Sequence, residues 1–131
     1  MLMSIGTEVT FSAAHFLPDH PRCGAIHGHT WRVKIEYMGF EMYADADTPL
    51  PPNGMLVDFG HIKRLITNEF DHRLLNDVME IPTAENIAIY IVKLMPEVWG
   101  YSYVLNVTVW ESKVSYATVS MRFDFERESV K

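Results

Sequence analysis

The chain has one cysteine among its 131 residues. That excludes a disulfide framework within the chain and suits a reducing compartment. No apolar run approaches the roughly 20 residues that a membrane helix needs. Met1, Leu2, Met3 and Ser4 do not form a basic segment leading into an apolar one, so a secretory signal is not expected and a cytoplasmic location is. Positive charge is scarce: 11 Lys and Arg against 17 Asp and Glu leave a net charge of −6. A nucleic-acid surface would be basic, so that class is set aside. An anionic small substrate stays open, since Arg22, Arg32, Lys34, Lys63 and Arg64 can still make a local positive field. Internal repeats and low-complexity stretches are also lacking. With 48% hydrophobic residues, the chain reads as one domain over residues 1–131, with a charged, frayed tail from about residue 126.

What is present is histidine in a pattern. Cys23-Gly24-Ala25-Ile26-His27-Gly28-His29 holds the only cysteine and two of the six histidines. At the start of a strand, a spacing of two puts both imidazoles on one face. Two imidazoles on one face suit a divalent metal, and zinc is the expected ion. His15, which ends the strand-like segment Phe11-Ser12-Ala13-Ala14-His15, is the candidate third ligand.

Periodicity organises the rest. Residues 5–14 read as a first strand, with Thr7, Val9, Phe11, Ala13 and His15 on one face. Residues 27–43 read as a long second strand, in which His27, His29, Trp31, Val33, Ile35 and Tyr37 share a face. The histidines therefore stand at one end of a core-facing row. Residues 44–54 hold Pro49, Pro51 and Pro52 and read as a loop; Asp45 and Asp47 there are read as solvated acids, not ligands. Asp58 is a candidate N-cap for a first helix ending near Phe70, with Phe59, Ile62, Leu65 and Ile66 at helical spacing. Asp71-His72 follows in a turn. Thr83 can cap a second helix whose apolar face is Ile87, Ile91, Leu94 and Met95. Residues 101–111 and 115–125 read as strands three and four. Glu111 ends the apolar row of Leu105, Val107 and Val109, a costly place for a carboxylate unless it is paired. Strand, strand, helix, helix, strand, strand predicts an α+β fold: a four-stranded antiparallel sheet with two helices on one face (ββααββ). Two open sheet edges predict an oligomer.

Taken together, the segment ending in His15, Cys23 with three residues before His27-Gly28-His29, Asp71-His72 with Leu75-Asn76, Pro82-Thr83-Ala84-Glu85-Asn86, and Glu111 resemble the 6-pyruvoyltetrahydropterin synthase / 6-carboxytetrahydropterin synthase family. The likeness runs from about residue 5 to about residue 120. The three-residue spacing after Cys23 is similar to the carboxy branch; the pyruvoyl branch has a longer spacer. The resemblance implies the tunnelling fold, with sheets closed into a barrel by trimers and two trimers stacked as a homohexamer. It implies 7,8-dihydroneopterin triphosphate as substrate, and 6-carboxytetrahydropterin, acetaldehyde and triphosphate as products, on the route to queuosine. It implies zinc on His15, His27 and His29, Cys23 as proton acceptor, and Asp71 and His72 as a relay pair. Glu111 would be the pterin anchor and relay carboxylate, and Thr83 and Ala84 the turn that touches the pterin through its backbone. The 44–54 loop and the tail past residue 120 are longer than that branch's pattern.

Two rival readings follow from the same residues. One is the pyruvoyl synthase, which eliminates triphosphate and keeps the side-chain carbons. The other is no enzyme: a structural zinc module closed by Cys23 as fourth ligand. A lone histidine pair or a free cysteine would be unremarkable; the combination carries the expectation.

Overall fold

The computed structural model describes residues 1–42 and 53–126. In chain order it has β1 (Leu2–His15), β2 (His27–Glu41), α1 (Phe59–Phe70), α2 (Ala84–Leu94), β3 (Tyr103–Trp110) and β4 (Tyr116–Phe123), with a 3-10 turn at Leu75–Asp77 between the helices. The strands form one antiparallel sheet in the order β1-β2-β3-β4. The expected ββααββ architecture is what forms. The first strand starts earlier than its periodicity predicts, at Leu2, because Leu2 and Met3 pair with the far end of β2. The 44–54 loop lies outside the described residues up to position 52, as does the tail from residue 127.

One face of the sheet is apolar and the other is not, as period-two alternation requires. Phe11, Ala13, Trp31, Val33, Ile35, Tyr37, Leu105, Val107 and Val109 are all buried. Helix α1 packs against β1, and α2 against β3 and β4. Asp58 caps α1 by accepting from the Gly60 amide at 2.9 Å, and Thr83 caps α2 by accepting from the Asn86 amide at 3.1 Å. The buried face of α1 is Ile62, Ile66 and Phe70. Phe59, expected on that face, is the first residue of the helix and is 40% exposed. In α2 the buried residues are Ala84, Ile87, Ala88, Ile91 and Val92. Tyr90 of α2 donates to Glu69 of α1 at 2.6 Å and ties the two helices together. No described helix is long and apolar enough to cross a membrane.

The second strand changes phase once. Between the Ile5–Tyr37 and Met3–Phe40 pairs, Met38 and Gly39 stand opposite Ser4 alone. This is a β-bulge. Gly39 has φ +81, the left-handed region, and its amide donates to the Ser4 hydroxyl at 3.3 Å. After the extra residue, Phe40 and Met42 turn inward and join the core. A strict alternation continued from Tyr37 would have put them in solvent. A Cβ at position 39 meets no neighbouring atom, so only the backbone conformation opposes substitution. Gly39→Ala is expected to destabilise the fold by about 1–2 kcal/mol, the penalty for a left-handed L-residue. Urea unfolding checks this, and an unchanged midpoint would remove the constraint assigned to the bulge.

Candidate metal centre and active site

The register of β1 on β2 builds the centre. His15 lies directly opposite His27, and Ala13 opposite His29, so His29 sits diagonal to His15 on the same face. Trp31 continues the row and forms the floor, its ring centroid 5.0 Å from that of His15 and 5.4 Å from that of His29. The Trp31 indole donates to the Ala13 carbonyl at 3.2 Å, which fixes the floor to β1. His15 is fully buried, at 0% exposure.

Backbone carbonyls set the tautomers. The Nδ1 of His15 is 2.7 Å from the Pro82 carbonyl, and the Nδ1 of His27 is 2.8 Å from the Ala25 carbonyl. A carbonyl only accepts, so each Nδ1 carries the hydrogen and each neutral ring keeps its lone pair on Nε2. Those two Nε2 atoms face each other at 3.0 Å. Two lone pairs at that distance repel unless a proton or a cation lies between them. His29 offers a third Nε2. It is buried and has no hydrogen-bond partner. Glu111 Oε1 is 3.0 Å from it, but the approach lacks the alignment of a hydrogen bond, so the contact is a charge proximity and the nitrogen is orphaned. Glu111 Oε1 is also 3.4 Å from His15 Nε2. The four ligand atoms of His15, His27, His29 and Glu111 lie within 4.8 Å of one another. Two facing Nε2 lone pairs, a third, orphaned Nε2 and a carboxylate beside them fit a divalent cation.

Glu111 joins this group because of β3. It follows the last residue of the strand, and its amide donates to the Ser115 carbonyl at 3.1 Å, closing the β3–β4 turn. One step past the Arg32–Trp110 pair brings it beside Trp31 and diagonal to His29. From the sequence, Glu111 was expected to serve the substrate and was not placed among the histidines. The signal was available: the Leu105, Val107, Val109 row and the histidine row share a face once the two strands pair. Cys23 does not enter the group, so the closed site of one cysteine and three histidines is not what forms among the described residues. The thiol sits half-buried in the loop between β1 and β2.

Asp71 and His72 do meet. His72 Nδ1 is 2.9 Å from Asp71 Oδ2, a contact that adjacency in sequence did not assure. His72 takes φ +58, and its amide donates to the Ser12 carbonyl at 2.7 Å. The Ser12 amide donates to Asp71 Oδ1 at 3.0 Å. That bond, with the His72 imidazole, outweighs partial desolvation and holds the Asp71 carboxyl below its usual range. The pair lies on the solvent side of β1, with His72 83% exposed. His72, Arg73, Ser12, Gly28 and His29 line one open concavity of about 620 Å³. A larger one, about 810 Å³, lies at the opposite end of the sheet and contains none of the histidines. Thr83 and Ala84 begin α2 directly after Pro82, whose carbonyl holds His15. The turn expected to touch a pterin is therefore fastened to the metal centre.

Solved structures share this fold. A Caenorhabditis elegans 6-pyruvoyl tetrahydropterin synthase superposes with TM-score 0.68, covering 92% of this chain and 96% of that one at 22% identity. A Plasmodium vivax 6-pyruvoyl tetrahydropterin synthase also gives 0.68, covering 94% and 99% at 18% identity. A four-stranded sheet backed by two helices, in this order, is thus the tunnelling fold. A family model described as 6-pyruvoyl tetrahydropterin synthase matches residues 4–122. The chain belongs to that family. Among its relatives is an Archaeoglobus fulgidus protein provisionally named 6-carboxy-5,6,7,8-tetrahydropterin synthase, 41% identical over 98 residues, 72% of this chain and 77% of that one. A Synechocystis 6-carboxy-5,6,7,8-tetrahydropterin synthase is 35% identical over 120 residues, 84% and 87% of the two chains. A Pyrococcus furiosus dihydroneopterin monophosphate aldolase is 32% identical over 87 residues, 64% and 67%.

Burial, with the neighbouring His15 and His27, lowers the pKa of His29 from its usual 6.5, against the opposing pull of Glu111. The neutral form, the one able to bind a metal, is thereby favoured. Below 6.5 the unfolded chain takes up a proton that the folded His29 refuses, so the metal-free fold weakens as pH falls through that value. Unfolding of metal-free protein at about pH 7.5 and about pH 5.5 is expected to show this loss, and His29→Gln to show less of it. Equal pH dependence in the two proteins would contradict the assignment.

Proposed function

We propose that this protein is a zinc-dependent 6-carboxy-5,6,7,8-tetrahydropterin synthase. It would convert 7,8-dihydroneopterin triphosphate to 6-carboxytetrahydropterin, acetaldehyde and triphosphate, in the cytoplasm and on the route to queuosine. The observation that carries the metal reading is the pair of Nε2 lone pairs at 3.0 Å with a third, orphaned Nε2 beside them. The carboxy branch is supported by the names of the relatives and by the three residues between Cys23 and His27.

His15, His27 and His29 would hold the zinc and leave a coordination position for substrate. Bound zinc supplies Lewis acidity to the oxygens of the substrate side chain. The remaining work belongs to the chain. Cys23, as thiolate, takes a proton from the side chain of the substrate. The Asp71 carboxylate accepts from His72 Nδ1, which leaves His72 Nε2 to exchange a proton with the substrate as bonds break. Glu111 anchors the pterin by accepting from its amino and ring N–H edge, a planar donor pair that matches a carboxylate. Thr83 and Ala84 contribute backbone groups to the same ring.

Product analysis tests the reaction. Zinc-loaded protein with 7,8-dihydroneopterin triphosphate is expected to release acetaldehyde. A pyruvoyl synthase would release triphosphate and no acetaldehyde. The Pyrococcus furiosus relative makes an aldolase the other alternative. That activity would cleave dihydroneopterin monophosphate to a phosphorylated two-carbon aldehyde. In the same assay Cys23→Ala is expected to lose about 10²–10⁴-fold in kcat, the range for a positioned acid or base. It should keep its zinc and its pterin affinity. Near-normal turnover in that variant would remove Cys23 from the mechanism.

We also propose a homohexamer of two trimers. Among the described residues β4 pairs only with β3, and it exposes Tyr116 at 63% and Met121 at 45%; β1 meets residues 71–74 on its outer side only at Ser12 and Ala14. Sedimentation of active protein is expected to give six chains, and an active monomer would refute it.

A further inference from the structure

We infer that His20 is a positioning residue for Cys23, acting as a side-chain cap on the turn that carries the thiol. The loop from β1 to β2 is anchored at its base by Asn76. Asn76 accepts from the Phe16 amide through Oδ1 at 2.9 Å and donates through Nδ2 to the Phe16 carbonyl at 2.9 Å. Beyond that clamp the loop closes on itself. The Leu17 amide donates to the Cys23 carbonyl at 2.7 Å, and the His20 amide to the Leu17 carbonyl at 3.2 Å. His20 Nδ1 then accepts from two amides, Arg22 at 3.1 Å and Cys23 at 2.9 Å. Both backbone polar groups of Cys23 are therefore held.

Acceptance from the amides two and three residues ahead is the geometry by which Asp, Asn, Ser and Thr cap turns and helices. Here an imidazole nitrogen does that work, and its hydrogen must sit on Nε2. Two further features show how tightly the turn is drawn. Asp19, just before His20, takes φ +63, a region that Asp tolerates better than most residues. Gly24, just after Cys23, has room for no side chain, because a Cβ there would lie 2.9 Å from the His20 carbonyl. The thiol is thus set on a closed turn spanning residues 17–23, between ligands His15 and His27. The backbone that carries it is held by the side chain of His20, which is not among the candidate metal ligands.

The inference rests on the reading of Cys23 as the base, and the test separates the two. Cys23 is the only cysteine, so alkylation by iodoacetamide reports on it alone. The experiment compares zinc-loaded native protein, His20→Ala and His20→Asn for alkylation rate, kcat and KM. In His20→Ala the freed turn is expected to raise alkylation and lower kcat, each about tenfold, with KM within about twofold, the scale of a lost cap. His20→Asn presents an Oδ1 at the same offset and is expected to bring both quantities back to within about threefold of native. Native alkylation in His20→Ala, or equal effects of Ala and Asn, would overturn the positioning role. If Cys23→Ala turns over normally, the catalytic reading of the thiol fails, while the alkylation rates still decide whether His20 positions it.

Discussion

The bond from His15 Nδ1 to the Pro82 carbonyl, 2.7 Å long and spanning 67 residues of sequence, is the constraint on which the centre depends. It joins the last residue of β1 to the residue just before the cap of α2. It places a hydrogen on Nδ1, so the other nitrogen has nothing to offer but a lone pair, and that lone pair points at His27. A buried imidazole aimed at another imidazole is unfavourable in an empty protein interior. The fold accepts that arrangement because β1, β2 and α2 are each pinned by other contacts. The apolar core, from Phe11 and Trp31 to Ile87 and Ile91, outweighs the local cost. The geometry of the candidate centre is therefore set by the strands and the helix start that carry it, as preorganised sites require.

Rigid and adaptable parts are divided accordingly. The three histidines come from paired strands, and Glu111 from the turn that closes the next hairpin. The groups proposed to handle protons come from connections: Cys23 from the β1–β2 loop, and Asp71 and His72 from the segment after α1. Even these are not loose. The Ser12 amide and carbonyl hold Asp71 and His72 in turn, and the Ala14 amide donates to the Arg73 carbonyl at 3.0 Å. The Asp71–His72 pair is in effect stitched along the outer edge of β1.

The strands, helices and caps were legible because each had a local cause. Alternation marked the buried faces of β1, β2 and β3, and Asp58 and Thr83 announced the two helix starts. The histidine row was legible for the same reason. What could not be read was whatever depended on register or on a non-repeating backbone. Glu111 reaches His29 only through the pairing of β2 with β3. Asp71 reaches His72 because the latter adopts a left-handed φ, which no periodicity signals. Phe59 counts as apolar at helical spacing yet stands exposed at the first position of its helix. Pro82 contributes through its carbonyl, an atom that every residue has and that no motif distinguishes.

The bulge at Gly39 has a consequence for how this domain can change. The pairing of residues 32–37 of β2 with β1 on one side and β3 on the other fixes the histidine row from within the sheet. The extra residue at the bulge then resets which way Phe40 and Met42 point. The far end of the strand is thereby one step out of phase with the histidine end. Insertions after residue 42 fall outside the pairing that sets the histidine row, so they can be sampled by evolution, or grafted by an engineer, without changing that register. The long, proline-rich stretch that follows stands where such variation is tolerated at least cost.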